Sequence, residues 1–292
     1  MSGTEPCSSV RPGIAGAYAE SETVTVPLHI EDDPDEVGAA SVFIDVDVTG
    51  TPRRFLFDTG AARGRIAMDA AASFDQTPSA TPGRGALGAA RPQRRTRVPF
   101  LRIGTGPSAL HADDVVMEVA SAADPGPPDI LGQEVIAGHR WDVRFPTRTL
   151  TIDADAENAD ADERPLVLSS AGHPHVDVTW DAVTALAVWD SGAGVTVVDA
   201  AFASRHPTLF TPLRNSRGHD AHGITADTAM VTMAACVVGE RRFAPSLAAL
   251  APIAGIQPPG EPAFDLIIGY PLLAQADWRI DLQQGTWSFL PR

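Results

Sequence analysis

Two aspartates in this sequence could do chemistry together, because each lies in the same short motif. The motifs read Asp-Thr-Gly-Ala from Asp58 and Asp-Ser-Gly-Ala from Asp190, and the two aspartates are 132 residues apart. Two carboxylates held close together cannot both ionise cheaply, so they share one proton at the working pH. The ionised member can then take a proton from a water molecule while the protonated member polarises a carbonyl group. The pair is therefore a candidate for general acid–base hydrolysis.

The surroundings of the two motifs repeat as well. Each motif follows a short apolar run, 55–57 or 187–189, and precedes an apolar-apolar-Gly element, 130–132 or 267–269. A single Asp-Thr-Gly is weak evidence, since it often forms an ordinary turn, but two in matching contexts are strong evidence. The same order of features in both halves indicates the duplication of one lobe. The apolar-apolar-Gly elements are expected to be strand ends that lead into a helix.

On these motifs the chain resembles the aspartic proteases, the retropepsin-like and pepsin-like clan, over residues 38 to 290. Duplication within one chain is typical of pepsins, whereas short lobes and an alanine after each glycine are typical of retropepsins. The resemblance implies an all-β fold of two retropepsin-like β-barrel lobes, related by a pseudo-two-fold axis, with few short helices. The chain contains no lysine, so all 22 of its Lys and Arg positions are arginine, and Ala, Gly and Pro are abundant, which suggests a bacterial chain from a GC-rich genome.

The resemblance also assigns roles to both motifs. The catalytic residues would be Asp58 and Asp190, and the dyad-supporting residues would be Thr59, Gly60, Ser191 and Gly192. The two hydroxyls would form hydrogen bonds across the lobe interface, and the glycines would leave room for backbone N–H groups to approach the carboxylates. Because alanine stands where pepsins often carry a hydroxyl, at Ala61 and Ala193, we expect a less acidic dyad.

A hairpin flap should follow each aspartate and cover the cleft. The candidate substrate-binding flap residues are Gly83, Arg84, Gly85 and Gly88 in the first lobe and His222 and Gly223 in the second. The flap tyrosine of pepsins is missing, because Tyr18 and Tyr270 are the only tyrosines, so the subsites should differ from those of pepsins. Arginines at 91, 94, 95 and 97 beside the first flap indicate either a solvated strand face or an anchor for an acidic substrate group.

The composition changes along the chain in a way that suggests domain boundaries. We predict a mobile tail over 1–22, an N-terminal lobe over 23–153 with Asp58, an acidic linker over 154–165 and a C-terminal lobe over 166–292 with Asp190. Alternating apolar residues predict strands at 42–48, 98–103, 115–119, 230–238 and 287–289. Short helices are expected at 68–74, 198–205 and 271–276. Many short strands between Gly and Pro turns favour an all-β barrel or sandwich.

Composition also excludes several classes of function. The formal net charge of −15 disfavours nucleic-acid and anionic-membrane partners. The sequence has no apolar run of the roughly 18 residues that a membrane span needs, and the N-terminus does not resemble a secretion signal. Two cysteines form no disulfide framework, and Cys236 is expected to be buried, so we predict a cytoplasmic protein. No cofactor and no metal is implied, and we expect a monomer because one chain supplies both aspartates.

Three functions remain open on the sequence alone. The leading hypothesis is an aspartic-type endopeptidase that cuts an extended peptide in the cleft between the lobes. The second is a non-proteolytic acid–base enzyme on the same fold, for example a cyclase or isomerase acting on a small molecule in a biosynthetic pathway. The third is a binding module with an inactive dyad.

Overall fold

The structure, a computed structural model, describes residues 23–80, 82, 92–120, 128–154, 162–219, 225–253, 256–257 and 263–291. Strands dominate these residues, and the predicted all-β fold class is confirmed. The strands are β1 (Val24–Pro27), β2 (His29–Asp32), β3 (Ala40–Val48), β4 (Thr51–Phe57), β5 (Arg65–Ile66), β6 (Gln76–Pro78), β7 (Arg94–Ile103), β8 (Leu110–Val119), β9 (Asp129–Leu131), β10 (Arg140–Arg144), β11 (Thr149–Ile152), β12 (Arg164–Pro165), β13 (Val167–Leu168), β14 (Pro174–Trp180), β15 (Val183–Trp189), β16 (Thr196–Asp199), β17 (Phe210–His219), β18 (Thr225–Met233), β19 (Cys236–Val238), β20 (Arg241–Phe243), β21 (Ser246–Ala251), β22 (Leu266–Ile268), β23 (Trp278–Asp281) and β24 (Thr286–Phe289).

Helices in the described residues are short. They are α1 (Met68–Ala71), α2 (Gln133–Ile136), α3 (Ala200–Arg205), α4 (Tyr270–Leu273) and a 3₁₀ helix over Pro207–Leu209. Both apolar-apolar-Gly elements are strand ends followed by a helix, as predicted, because β9 leads through Gly132 into α2 and β22 through Gly269 into α4. Within the same part of the chain, no helix combines the length and the apolar character that crossing a membrane requires.

The alternation of apolar residues in the sequence produces half-buried strands. Along β3, Val42, Ile44, Val46 and Val48 are all buried while the residues between them are more exposed, because successive side chains point to opposite faces of a sheet. The predicted strand over 230–238 is wrong as a single element. It breaks after Met233, where the backbone N–H of Ala234 donates to the carbonyl of Leu209 instead of to a neighbouring strand.

The described residues form three sheets. The first-half sheet has the order β2-β3-β4-β9-β5-β8-β7-β6, and the second-half sheet has the order β17-β18-β21-β16-β22-β15-β14-β19-β20. A shared sheet, β1-β11-β10-β23-β24-β12, combines strands from both ends of the chain. The last two residues of the predicted linker, Arg164 and Pro165, are not a free connection but form β12, which pairs with β24.

The strand pairing around the two motifs is the same in both halves. β4 runs parallel to β9, with Leu56 opposite Ile130, and β15 runs parallel to β22, with Val188 opposite Ile267. Each of these pairs continues through an antiparallel strand, β5 or β16, to a further parallel strand, β8 or β21. The repeat seen in the sequence thus corresponds to a repeated arrangement of strands.

Candidate active site

Each aspartate lies directly after the buried end of a strand, β4 or β15. The neighbouring parallel strand, β9 or β22, holds the loop that carries it. The N–H of Asp58 donates to the carbonyl of Leu131 at 3.2 Å, and the N–H of Asp190 donates to the carbonyl of Ile268 at 3.1 Å. The glycine-terminated elements therefore fix the backbone of both motifs in the same way.

The hydroxyls of Thr59 and Ser191 join the two motifs. Thr59 Oγ1 donates to the carbonyl of Trp189 at 2.8 Å, and Ser191 Oγ donates to the carbonyl of Phe57 at 2.6 Å. Thr59 Oγ1 also accepts the backbone N–H of Ser191 at 3.1 Å, and Ser191 Oγ accepts the backbone N–H of Thr59 at 3.2 Å. Both side chains are buried, so these four bonds lie away from water and fix the two loops against each other.

The glycines of the motifs allow the two carboxylates to come together. A Cβ added to Gly60 would overlap the carboxylate of Asp190, and a Cβ added to Gly192 would overlap the carboxylate of Asp58. Each carboxylate therefore packs against the glycine of the opposite motif. The sequence predicted room for backbone N–H groups, and the N–H of Gly192 does donate to Asp190 Oδ1 at 2.9 Å. The close approach across the two motifs is a second reason for glycine that the sequence did not reveal.

Burial makes both carboxyl groups weak acids. Asp58 is 8% exposed, and its Oδ1 is enclosed without a hydrogen-bond partner among the residues that the structure describes. Burial raises the pKa of Asp58 well above its ordinary value, and the negative charge of Asp190 and a hydrogen bond between the two carboxyls raise it further. Burial also raises the pKa of Asp190, although the N–H of Gly192 opposes that shift. The two groups titrate as one unit.

Gln133, which the sequence did not single out, supports the first motif. Its side chain is buried and its Nε2 donates to the carbonyl of Thr59 at 2.6 Å, while its backbone N–H donates to the carbonyl of Ala61 at 2.9 Å. In the second half the backbone N–H of Tyr270 makes the matching bond, to the carbonyl of Ala193 at 2.9 Å. The only signal in the sequence is that Gln133 follows the Ile-Leu-Gly element directly.

We expect Gln133→Leu to destabilise the protein by about 1–3 kcal/mol, because it leaves the buried carbonyl of Thr59 without that donor. Urea denaturation measures the change in the free energy of unfolding. Gln284→Leu is the matched control, since Gln284 lies in an exposed turn. Equal stability of the two variants would show that the Gln133 side chain does not support the motif.

The flap candidates Gly83, Arg84, Gly85, Gly88, His222 and Gly223 lie outside the described residues. The strands that lead to them are described. β6 pairs with β7, with Pro78 opposite Arg94, and β17 pairs with β18, with His219 opposite Thr225. Each candidate set therefore lies in the connection between two antiparallel strands.

Two further polar residues have structural surroundings. Asp142 is buried in β10 and accepts two hydrogen bonds from Arg279. Cys236 is buried, and burial raises the pKa of its thiol to about 12, which makes it unreactive at neutral pH. In the described ranges, no group of three or more His, Cys, Asp or Glu side chains could hold a metal ion.

Comparison with known proteins agrees with this geometry over part of the chain. The aspartyl protease family model matches residues 44–135, which include Asp58 and the Ile-Leu-Gly element but not Asp190. A search of curated proteins found no match.

Solved structures show the same fold over nearly the whole chain. Basic 7S globulin from soybean has a TM-score of 0.52 and 12% sequence identity, with 92% of this chain and 94% of that chain covered. Conglutin gamma, a basic 7S globulin from lupine seeds, has a TM-score of 0.52 and 9% identity, with 94% and 96% covered. At these identities the likeness shows the fold alone. Residues 44–135 are thus similar in sequence to aspartyl proteases, within a fold that these globulins share.

Proposed function

We propose that this protein is an aspartic-type endopeptidase in which Asp58 and Asp190 activate a water molecule. The observation that carries the proposal is the packing of each carboxylate against the glycine of the opposite motif, with four hydrogen bonds between the motifs. Such a site holds two weak acids in one fixed arrangement, which general acid–base catalysis requires.

The reaction follows from one shared proton. The ionised carboxylate takes a proton from water as the water oxygen forms a bond to the peptide carbonyl carbon. The protonated carboxyl donates a hydrogen bond to the carbonyl oxygen and stabilises the charge that develops there. The C–N bond then breaks as a carboxyl group passes its proton to the leaving nitrogen, and the dyad again carries one proton.

Apolar side chains beside the second motif support a peptide substrate. Val188, Ile253, Phe264 and Ile267 form a buried cluster separate from the main core, and Ala193 of the motif packs against it. The partly exposed residues that pack against the cluster are Leu186, Ala193, Val197 and Ile256. Their apolar side chains beside the second motif suit a substrate with an apolar side chain close to the cleaved bond.

The pKa shifts of the dyad predict the pH range of activity. Activity requires one proton on the pair, so it falls when both groups are protonated at low pH and when both are ionised at high pH. Because the pKa values of both groups are raised, the active form persists above the ordinary range of carboxyl groups. We expect kcat/KM to peak between about pH 5 and 7. A profile that peaks below about pH 3.5 would contradict this.

A peptide-library digest tests the proposal. Purified protein is incubated with a diverse peptide library between pH 3 and 8, and products are identified by mass spectrometry, with Asp58→Asn as the control. Cleavage by the wild type that the variant lacks supports the proposal. If the folded wild type cuts no peptide, the endopeptidase proposal is wrong, and screening of small-molecule ligands separates an acid–base enzyme from an inactive binding module.

We further propose that the active unit is a monomer in the cytoplasm. Both aspartates and all four bonds between the motifs come from one chain. Analytical ultracentrifugation of the active protein should therefore give the mass of one chain, and an obligate dimer would contradict it.

A further inference from the structure

The face of the first-half sheet that carries Asp58 differs from its core face. Phe57 belongs to the main core, and strand alternation places Leu56 and Asp58 together on the opposite face. Ile130 lies directly opposite Leu56 on β9 and therefore shares that face. Asp58 therefore lies at the edge of a face of the sheet that does not point into the main core.

The same face continues across the sheet as a row of paired residues. Ile130 pairs with Arg65, Arg65 with Glu118, and Glu118 with Arg95, each on the next strand in the order β9-β5-β8-β7. Residues paired in this way point to the same side of a sheet. The row is apolar at Leu56 and Ile130 and charged over its last three members.

The corresponding row in the second half is apolar throughout. Val188 pairs with Ile267, Ile267 with Val197, Val197 with Ala249 and Ala249 with Met230. It starts next to Asp190 as the first row starts next to Asp58. The strand arrangement is the same in both halves, yet the two surfaces that extend from the dyad differ in charge.

Arg95 is the residue of the charged row best placed to bind a ligand. Its Nε is enclosed and has no hydrogen-bond partner among the described residues. Arg65 is only 3% exposed, so a ligand cannot reach it, and its Nη2 donates to the carbonyl of Pro128 at 3.3 Å. Arg97, two residues along on the same face, donates to the carbonyl of Asp114. Arg95 as a whole is only half-buried, and a carboxylate is the acceptor that a guanidinium prefers.

The distance between the dyad and Arg95 suits a peptide substrate. Four strand steps separate β4 from β7, or at most ~19 Å along the sheet at ~4.8 Å per step. An extended chain covers that distance in about five or six residues. The arginine side chain itself shortens the span, so the contacted group would lie several residues from the cleaved bond.

We propose that Arg95 is a specificity-determining residue that binds a carboxylate of the substrate, remote from the cleaved bond, on the first-half side of the cleft. The proposal rests on the endopeptidase function proposed above. Glu118 faces Arg95 from the neighbouring strand.

Paired peptides test this proposal. Decapeptides built on a cleaved sequence carry one Glu or one Gln at each position in turn, and kcat/KM is measured for wild type, Arg95→Gln and the matched control Arg97→Gln. We expect wild type and Arg97→Gln to prefer Glu at one remote position by about ten- to a hundredfold. Arg95→Gln should lose that preference and cleave the Glu and Gln peptides with similar kcat/KM.

Binding gives a readout that does not depend on cleavage. The same peptides are titrated calorimetrically into Asp58→Asn and into Asp58→Asn with Arg95→Gln, and only the first should bind the Glu peptide more tightly. Cleavage without any preference for Glu, or a preference for Lys through Glu118, would overturn this inference and leave the endopeptidase proposal intact. A folded wild type that cuts no peptide of the library, and so provides no sequence on which to build these decapeptides, would overturn both.

Discussion

Asp58→Asn and Asp190→Asn should each lower kcat by about 10²- to 10⁴-fold, the usual contribution of one general acid–base group. The substitution keeps the size of the side chain, so the packing against Gly192 or Gly60 is retained. A loss of kcat in a variant that remains folded would therefore result from the loss of the ionisable carboxyl group and not from a change of structure. KM should change little, because the carboxylates act on the reacting carbonyl and not on the remainder of the peptide.

The same substitution should change how stability depends on pH. The ordinary pKa of an aspartate is 3.8, and the folded protein raises the pKa of Asp58 well above it. Between the two values the folded state binds more protons than the unfolded state, so this group's stabilising contribution is lost as the pH rises through the folded pKa. Asp58→Asn removes that loss. The variant should gain stability relative to wild type at pH 7, and the gain should shrink toward pH 4.

Urea denaturation at both pH values measures this effect. Asp177→Asn, an exposed residue of β14, is the control for the loss of one negative charge. If the free energy of unfolding depends on pH in the same way in wild type and Asp58→Asn, folding does not raise the pKa of Asp58.

The sequence predicted those parts of the site that depend on local order along the chain. The apolar runs, the two Asp-Thr/Ser-Gly motifs and the strand–Gly–helix elements are all contiguous, and their geometry follows from neighbouring residues. The packing of Gly60 on Asp190 depends instead on contact between distant segments. No local pattern reveals such a contact, although the duplication indicated that the two motifs would meet.

Strand register explains the other features of the structure that the sequence did not predict. Arg65, Glu118 and Arg95 are far apart in sequence and form one row only because β5, β8 and β7 pair in one particular register. The sequence showed an arginine cluster near the flap but could not select Arg95 from its neighbours. The break after Met233 has a similar origin, because the acceptor for Ala234 comes from Leu209, in another part of the chain.

In the shared sheet, positive and negative residues alternate along β10, and each faces a residue of opposite charge in or directly before β23. β10 carries Arg140, Asp142 and Arg144, and the facing residues are Asp281, Arg279 and Asp277. The central pair is buried, and Arg279 donates to the two oxygens of Asp142 at 2.7 and 2.6 Å. The outer pairs are longer, at 4.0 and 3.9 Å. Opposite signs therefore face each other at all three positions.

This order favours the pairing of the two ends of one chain. If β10 paired antiparallel with a second copy of itself about Asp142, arginine would face arginine and aspartate would face aspartate. Like charges directly opposite each other destabilise a sheet. The pattern thus disfavours joining two copies through β10, in agreement with the monomer that we propose.

Removing one member of the buried pair should destabilise the protein strongly. We expect Asp142→Leu and Arg279→Met each to lower the free energy of unfolding by about 3–5 kcal/mol, because each leaves a buried charge without its partner. The double variant should recover most of that loss, since well-packed apolar residues replace a buried ion pair at little cost. A double-mutant cycle by urea denaturation gives the coupling energy between the two positions. If the double variant loses the sum of the two single losses, Asp142 and Arg279 stabilise the shared sheet independently, and the ion pair does not join the two ends of the chain.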